Sequence, residues 1–413
     1  MIAKRCITLN LLLGCCLYGQ GNVVTDWATI VQPAVNTPPR LPGVQLVLHA
    51  TIQLAVYDAV TAIQGGYEPF TRAIPAPAGA DVRAAVATAA YVTARARVDL
   101  SQYAYLDTQY AAYMAAIPGG AAKDDGVLVG RNAADAILAL RANDRLSNVV
   151  LYACSSTPPP PGEFEPDGGC TTQPAGANVG QIRPFTFTDS SRFRPDGPDP
   201  MTSSAWVEDF TETRDYGRRD SAFRTSEQTD IAYFWQAVNT HTAIVSLAIS
   251  RELNVRGAAR YLAMVYTAGA DANIAGFEAK YFYRFWRPRT AIPHADQDGN
   301  PDTDPDPTWI PLISVNHPEY PSAHSFSSTA FTDAAARFFG TNKLSWTFTA
   351  SRSAAPALVK TERTYRDVNT LMREIYDARV WAGLHWRHSM LQGAQIGRKV
   401  AKHVADNFFR PVQ

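Results

Sequence analysis

Apolar residues recur every three or four positions along much of this 413-residue chain, which is the spacing of amphipathic helices. The clearest examples lie in residues 26–63, 81–147 and 256–285. No alternation of apolar and polar residues is long enough to indicate a β-sheet. The pattern therefore predicts an all-α fold, and we expect residues 22–413 to form one large domain.

Short polar signals mark the starts of some helices. Asp81 precedes an alanine-rich run and is a favoured N-cap residue. Thr225 and Gln228 have the spacing of a capping box, so we expect a helix to begin there and to include His241. The apolar surroundings of His241 favour a place in the core over contact with a ligand. The last two helices are predicted at about 364–376 and 388–408.

The first 21 residues have the pattern of an export signal. Lys4 and Arg5 precede the apolar run 6–18, and small residues follow it. We therefore predict a signal peptide at 1–21 and an exported protein, either periplasmic or secreted. The alternative is a lipoprotein signal, with Cys15 acylated at the membrane. The run is shorter than the roughly 18 apolar residues that span a bilayer, and no later segment is predicted to span one.

Composition changes in residues 151–203, where Pro, Gly, Ser and Thr dominate and a long loop is expected. Cys154 and Cys170 lie in this loop, and in an exported protein such a pair is more typical of a disulfide than of a metal site. The formal net charge of the chain is zero, so no basic surface predicts binding to nucleic acid.

A second polar segment carries regularly alternating oxygen-bearing side chains. They are Asp296, Asp298, Asn300, Asp302, Asp304 and Asp306. The alternation is similar to a calcium loop, but it lacks the glycine and glutamate positions of an EF-hand. We weigh a calcium site against a polar surface loop punctuated by proline, and the surface loop is favoured.

Groups that could hold a tetrahedral oxyanion gather in residues 280–288, 320–325 and 378–389. In the first stretch, Lys280 and Arg287 are seven residues apart. On one helix they would project from nearly the same face, and Pro288 would end or bend that helix.

The other two stretches add a hydroxyl, backbone donors and histidines. Ser322 and His324 follow a Tyr-Pro pair at a predicted helix start, where free N–H groups attract anions. Arg379 and His385 cannot share a face of one regular helix, so they converge only through an irregular turn near Gly383. Together, the cations, the hydroxyl, the backbone donors and the histidines of the three stretches suit phosphate or its isostere vanadate.

The three stretches resemble the motifs K-x6-R-P, P-S-G-H and S-R-x5-H-x3-D of the type 2 phosphatidic acid phosphatase superfamily. That superfamily holds the vanadium-dependent haloperoxidases and the class A bacterial acid phosphatases, and this chain is similar to a soluble haloperoxidase-type member. The matching residues are Lys280, Arg287, Pro288, Pro321, Ser322, His324, Arg379 and His385. The resemblance implies paired helical bundles, with the segment equivalent to 151–203 passing over the site.

The resemblance also implies roles. His385 would bind vanadate directly, while His324 would act as acid and base toward hydrogen peroxide and Lys280 would polarise the bound peroxide. The groups that would neutralise the vanadate oxygens are Lys280, Arg287, Arg379, Ser322 and the N–H of Ala323. Phosphate could occupy the same site. The expected partners are hydrogen peroxide and a halide or small organic acceptor, and related enzymes are often homo-oligomers.

His317 lies five residues before Ser322. In the resembling enzymes that oxidise bromide this position is a histidine, which favours bromide or iodide as the halide. The alternative is a solvated loop histidine without a role.

The chain departs from the motifs at three positions. Ala323 replaces the motif glycine, Ala378 replaces the serine, and Ser389 replaces the aspartate. In the phosphatases that aspartate is thought to orient and charge the nucleophilic histidine, as the third member of a triad does. The serine therefore favours vanadate chemistry over an acid phosphatase that works through a phosphohistidine. A third hypothesis is an inactive oxyanion-binding homologue.

Overall fold

The structure is a computed structural model that describes residues 21–412. Within these residues it has thirteen α-helices and one sheet of three strands. The helices are α1 Val23–Val35, α2 Pro42–Gln64, α3 Val82–Arg97, α4 Tyr103–Ala115, α5 Ala121–Leu140, α6 Ser204–Gly217, α7 Ser226–Gln236, α8 Thr240–Ser250, α9 Val255–Tyr283, α10 Pro288–Ala291, α11 Ala323–Phe339, α12 Val368–Trp381 and α13 Arg387–Asn407. The predicted all-α class is confirmed.

The small sheet was not predicted. It is antiparallel, with β1 Val238–Asn239 beside β2 Trp346–Ala350 and β3 Glu362–Tyr365 on the far side. Strands of two to five residues are too short for a period-two pattern to stand out from the helical background.

The helix starts follow the polar signals, but one helix is shorter than predicted. The side chain of Asp81 accepts hydrogen bonds from the first turn of α3, and Thr225 and Gln228 form the capping box of α7. However, α7 ends at Gln236, and Asn239 caps a new helix, α8, which carries His241. The prediction of one helix through His241 is therefore wrong, because β1 interrupts it.

Helix α9 is the central element of the core. Its middle, from Ala258 to Ala279, is buried almost throughout, and α2 packs along it. In the described part of the chain, a single helix, α2, is long and apolar enough to cross a membrane. However, 83% of its most apolar 18-residue window is buried inside the protein. We therefore describe α2 as a core helix.

Helices α11 and α13 approach each other very closely near the predicted anion site. A Cβ atom on Gly393 would lie 2.8 Å from the carbonyl oxygen of Ser322, and one on Gly397 would lie 2.7 Å from that of Phe326. Since such contacts are too short for a side chain, the two glycines allow the backbones to touch. The N-terminus of α11 is thereby held against α13.

The long loop 151–203 contains only two short 3-10 helices, Val179–Gln181 and Ser190–Phe193. The predicted disulfide between Cys154 and Cys170 is confirmed, with the Cα atoms 5.7 Å apart. The loop is fastened to the segment before His317, because the N–H of Ala175 donates to the carbonyl of Asn316 at 2.8 Å. The hydroxyl of Tyr281 also donates to the carbonyl of Ala175, at 2.6 Å.

The acidic segment 296–306 is tied to the protein by its own hydrogen bonds. Asp298 is buried and accepts from the indole of Trp206 at 2.9 Å and from the hydroxyl of Thr303 at 2.8 Å. Asp306 forms an ion pair with Arg218. Among residues 21–412, no group of three or more His, Cys, Asp or Glu side chains is arranged to hold a metal ion.

The predicted signal peptide and the lipoprotein alternative at Cys15 lie, apart from Gly21, outside the described residues. The assignment of 22–413 to a single domain stays a prediction.

Candidate active site

The residues of the first motif lie on two helical elements, and not on one helix as predicted. Helix α9 ends at Tyr283 because Arg284 adopts a left-handed conformation with φ 51°, and Arg287 lies beyond it as the N-cap of α10. The prediction that Lys280 and Arg287 share one helix face ended by Pro288 is therefore wrong. Pro288 instead occupies the first position of α10.

Both cations nevertheless bind to the same short segment, residues 317–319. Lys280 Nζ donates to the carbonyls of Pro318 at 3.0 Å and Glu319 at 2.8 Å. Arg287 Nε donates to the carbonyl of His317 at 2.7 Å, and its Nη1 donates to that of Leu384 at 2.6 Å. These bonds fix the approach of the segment to the N-terminus of α11.

The second motif forms a helix N-terminus with free donors, as predicted. Ser322 is the N-cap of α11, but its side chain makes no capping hydrogen bond. The first bond that closes the helix runs from the N–H of Phe326 to the carbonyl of Ser322, so the preceding first-turn N–H groups have no partner within the helix. Ala323 has helical backbone without a positive φ. Its replacement of the motif glycine therefore imposes no backbone strain.

The third motif contains the irregular turn that the spacing required. Arg379 lies in the last turn of α12, the chain turns at Gly383 with φ +72°, and His385 precedes α13. A Cβ atom on Gly383 would lie 2.5 Å from the carbonyl oxygen of Gly217, so the turn also requires close backbone contact. Arg379 and His385 are both 1% exposed.

One site residue was missed by the sequence analysis. Glu319 is fully buried, and its Oε1 lies 2.6 Å from His385 Nδ1 and accepts from the N–H of Trp386 at 3.2 Å. His385 therefore has a carboxylate partner although Ser389 replaces the motif aspartate, so Ser389 is no longer a reason to favour vanadate chemistry over a phosphohistidine. The signal available was an acidic residue directly before the second motif, in a segment otherwise rich in Pro and aromatic residues.

Hydrogen bonds also define the state of the two remaining histidines. His324 Nε2 lies 3.0 Å from the carbonyl of Trp235, which only accepts, so this nitrogen carries the proton and Nδ1 is the basic atom. His317 Nδ1 lies 3.0 Å from Arg287 Nη2 and 3.2 Å from the carbonyl oxygen of Pro318, so both neighbours hold the ring. Both residues are only partly buried, and His317 is not a freely solvated loop residue.

The site concentrates positive charge in a region that excludes water. Burial lowers the pKa of Arg379 to about 9 and that of Arg287 to about 10. Burial and the neighbouring Arg287 lower the pKa of Lys280. Burial raises the pKa of Glu319 to about 7, against the opposing effect of Arg287 and Lys280.

The pKa values of the three histidines fall for the same reasons. Burial lowers the pKa of His385 and His317, with Arg287 the next cause in both, and it lowers that of His324 together with Arg379. The three rings are therefore neutral near pH 7. A neutral imidazole is the form that binds a metal.

Several polar atoms of the cluster lack partners within the protein. Arg379 Nε and Nη1 and Ser322 Oγ are buried and make no hydrogen bond to the described residues. His385 Nε2 also makes none, because only Nδ1 is bonded to Glu319. Buried donors are normally satisfied, so three cations against one carboxylate, with free donors and one free imidazole nitrogen, fit a tetrahedral oxyanion such as vanadate or phosphate.

The geometry agrees with comparisons to known proteins. Residues 260–413 match the family model described as the VCPO second helical-bundle domain. The described fold is similar to that of solved vanadium-dependent peroxidases.

Two solved proteins illustrate the similarity. The structure of the first bacterial vanadium-dependent iodoperoxidase aligns with a TM-score of 0.78 and 20% identity, over 95% of this chain and 97% of that one. The holo form of a bacterial vanadium-dependent chloroperoxidase aligns with a TM-score of 0.70 and 18% identity, over 88% of this chain and 91% of that one. Among curated proteins, no sequence matches the chain.

Proposed function

We propose that this protein is a vanadate-dependent haloperoxidase that oxidises halide with hydrogen peroxide to hypohalous acid. The observation that carries the proposal is the set of buried, unpartnered donors on Arg379 and Ser322, together with the free Nε2 of His385. The similarity of the fold to vanadium-dependent peroxidases supports vanadate as the resident anion.

The residues of the site have distinct tasks in this proposal. Lys280, Arg287 and Arg379 neutralise the oxyanion, while Ser322 Oγ and the first-turn N–H groups of α11 donate to it. His385 Nε2 is the metal ligand. Bound vanadate supplies a Lewis-acid centre that activates hydrogen peroxide without changing its own oxidation state.

Proton transfer falls to His324. Its Nε2–H is held by the carbonyl of Trp235, so Nδ1 is the atom that accepts a proton from hydrogen peroxide and returns it. The overall reaction consumes one proton, since halide, hydrogen peroxide and a proton yield hypohalous acid and water. Because burial and Arg379 lower the pKa of His324, the ring is ready to act as a base near neutral pH.

Bromide or iodide is the proposed halide. His317 lies beside the cationic cluster, with Nδ1 3.0 Å from Arg287 Nη2, and burial keeps its ring neutral by lowering its pKa. A neutral N–H donor beside fixed cations suits a large, weakly hydrated anion. The similar structure of an iodoperoxidase supports the same choice.

The proposed function is tested on protein stripped of bound anion and then incubated with orthovanadate or with buffer. We expect oxidation of iodide and bromide only after incubation with vanadate, and none in His385→Ala. His403→Ala is the matched control, because His403 lies on α13 and bonds to the carbonyl of Thr186, away from the cationic cluster. Equal halide oxidation with and without vanadate would contradict the proposal.

A second candidate is an acid phosphatase, and the contact between Glu319 and His385 favours it. A buried carboxylate on Nδ1 is what a nucleophilic histidine needs to form a phosphohistidine. The same preparations are therefore assayed for hydrolysis of an aryl phosphate. Hydrolysis by the anion-free protein that vanadate inhibits, without any halide oxidation, would establish the phosphatase instead.

We also propose that the protein is exported, and the disulfide between Cys154 and Cys170 supports this because disulfides persist in oxidising compartments. Fractionation of the producing cells tests it. Recovery of mature protein in the soluble cytoplasm would contradict it, and recovery with membranes would favour acylation of Cys15.

A further inference from the structure

His385 is held by a carboxylate that lies outside the three motifs, just before the second one. Glu319 Oε1 contacts His385 Nδ1 at 2.6 Å and accepts the N–H of Trp386 at 3.2 Å. It therefore bonds both the imidazole and the backbone of the next residue. The related motif places its carboxylate four residues after the histidine, where this chain has Ser389.

Hydrogen bonds hold the backbone of Glu319 at both its N–H and its carbonyl. Its N–H donates to the carbonyl of Phe285 at 2.9 Å, and its own carbonyl accepts from Lys280 Nζ at 2.8 Å. Tyr320 and Trp386, the neighbours of the contacting pair, are packed in one apolar cluster. A side chain held in this way has little freedom to leave the imidazole.

We propose that Glu319 is the positioning residue of His385 and has taken over the task of the motif aspartate. The proposal rests on the oxyanion site described above. In its ionised form Glu319 only accepts hydrogen bonds, so it keeps the proton on Nδ1 and leaves the lone pair of Nε2 free for the anion. The negative charge also makes the imidazole a stronger ligand.

The same arrangement explains Ser389. Ser389 is buried beside Glu319, at 1% exposure, and neither its hydroxyl nor Glu319 Oε2 makes a hydrogen bond to the described residues. An aspartate at this position would bury a second carboxylate beside the first, and like charges in a buried site repel strongly. A serine is compatible with Glu319, whereas the motif aspartate is not.

The test compares wild type, Glu319→Gln and the double variant Glu319→Gln with Ser389→Asp. The glutamine keeps the shape, but its amide can donate as well as accept and no longer fixes the tautomer. We expect orthovanadate affinity, measured by calorimetry on the anion-free protein, to fall about 10- to 100-fold in Glu319→Gln. The double variant returns a carboxylate to His385, and we expect its affinity to recover to within about threefold of wild type.

The tautomer is measured independently by NMR on protein with ¹⁵N-labelled histidine. In wild type we expect a His385 ring with the proton on Nδ1, assigned by its loss in His385→Ala, and in Glu319→Gln we expect that signal to shift to a tautomer mixture. Asp271→Asn is the matched control, because Asp271 is a fully buried carboxylate bonded to Thr186 and the N–H of Phe185. It should leave both readouts unchanged.

If Glu319→Gln kept the orthovanadate affinity and the His385 tautomer of wild type, the proposal would be overturned. A loss of affinity that Ser389→Asp does not recover would also overturn it, because it would assign Glu319 to packing alone. These outcomes are separate from the proposed catalysis. Vanadate binding that depends on Glu319, without any halide oxidation, would contradict the haloperoxidase and leave this inference intact.

Discussion

At the scale of single residues, the site is defined by polar atoms that the protein leaves without partners. Burying a hydroxyl or guanidinium N–H without a hydrogen bond costs about 1–3 kcal/mol, so Ser322 Oγ and the free Arg379 donors destabilise the anion-free protein. An oxyanion satisfies them all at once. Removal of these donors should therefore weaken anion binding without destabilising the anion-free protein.

Ser322→Ala separates the two effects. Because the Ser322 side chain does not cap α11 and its buried hydroxyl has no partner, we expect the anion-free protein to become more stable, by up to about 1–3 kcal/mol. The loss of one hydrogen bond to a charged ligand should weaken orthovanadate binding about tenfold. Urea unfolding and calorimetry measure the two quantities.

Ser203→Ala is the matched control with the opposite profile. Ser203 is an N-cap whose side chain accepts from the N–H of Trp206 at 3.2 Å. Its removal should cost about 1 kcal/mol of stability and leave vanadate affinity unchanged. Ser322→Ala with the stability loss of a cap and full affinity would show that its hydroxyl does not face the anion.

At the scale of elements, much of the fold was predictable and the exceptions have physical reasons. Apolar periodicity and caps indicated the long helices and the start of α7. The end of α9 was not predictable, because a non-glycine residue such as Arg284 rarely adopts a left-handed conformation. Glu319 was missed because its contact with His385 joins residues 66 positions apart, and no local pattern reports such a pair.

The close contact between α11 and α13 positions the anion donors, and Gly393→Ala tests it. The new Cβ atom would meet the carbonyl oxygen of Ser322 at 2.8 Å, which forces the helix N-terminus to move. We expect a stability loss of about 1–3 kcal/mol and at least tenfold weaker vanadate binding. Gly119→Ala, where the Cβ atom would meet nothing within 4 Å, should be neutral in both measurements.

At the scale of the whole molecule, stability should depend on a pair of buried histidines remote from the anion site. His49 and His241 stack with ring centroids 4.3 Å apart, and the hydroxyl of Tyr266 lies 2.6 Å from His241 Nδ1. Burial lowers the pKa of His241 to about 4, so the folded protein keeps this ring neutral. Below pH 6.5 the unfolded chain binds the proton more readily, and stability falls until about pH 4.

His241→Gln removes this titration. Between pH 7 and pH 4 we expect wild type to lose on the order of 3 kcal/mol more stability than the variant, from about 1.36 kcal/mol per pKa unit. Urea unfolding at a series of pH values measures the difference. Parallel pH profiles for the two proteins would show that His241 is not held neutral.

The disulfide in the long loop is a second contribution at this scale. Cys154 and Cys170 are 16 residues apart, and closing a loop of that length contributes about 3 kcal/mol. The double variant Cys154→Ser with Cys170→Ser should show this loss in urea unfolding, and a reducing agent should lower the stability of wild type alone. An equal effect of the reducing agent on both proteins would contradict the assignment.

In the proposed function, one oxyanion per chain, held by His385 and the buried cations, makes the protein a haloperoxidase. The most direct measurement is a titration of anion-free protein with orthovanadate, in which bound vanadate and iodide oxidation are recorded at each point. We predict that activity rises in proportion to bound vanadate and saturates at one per chain. Saturation of the site without activity, or activity before any vanadate is bound, would contradict the account.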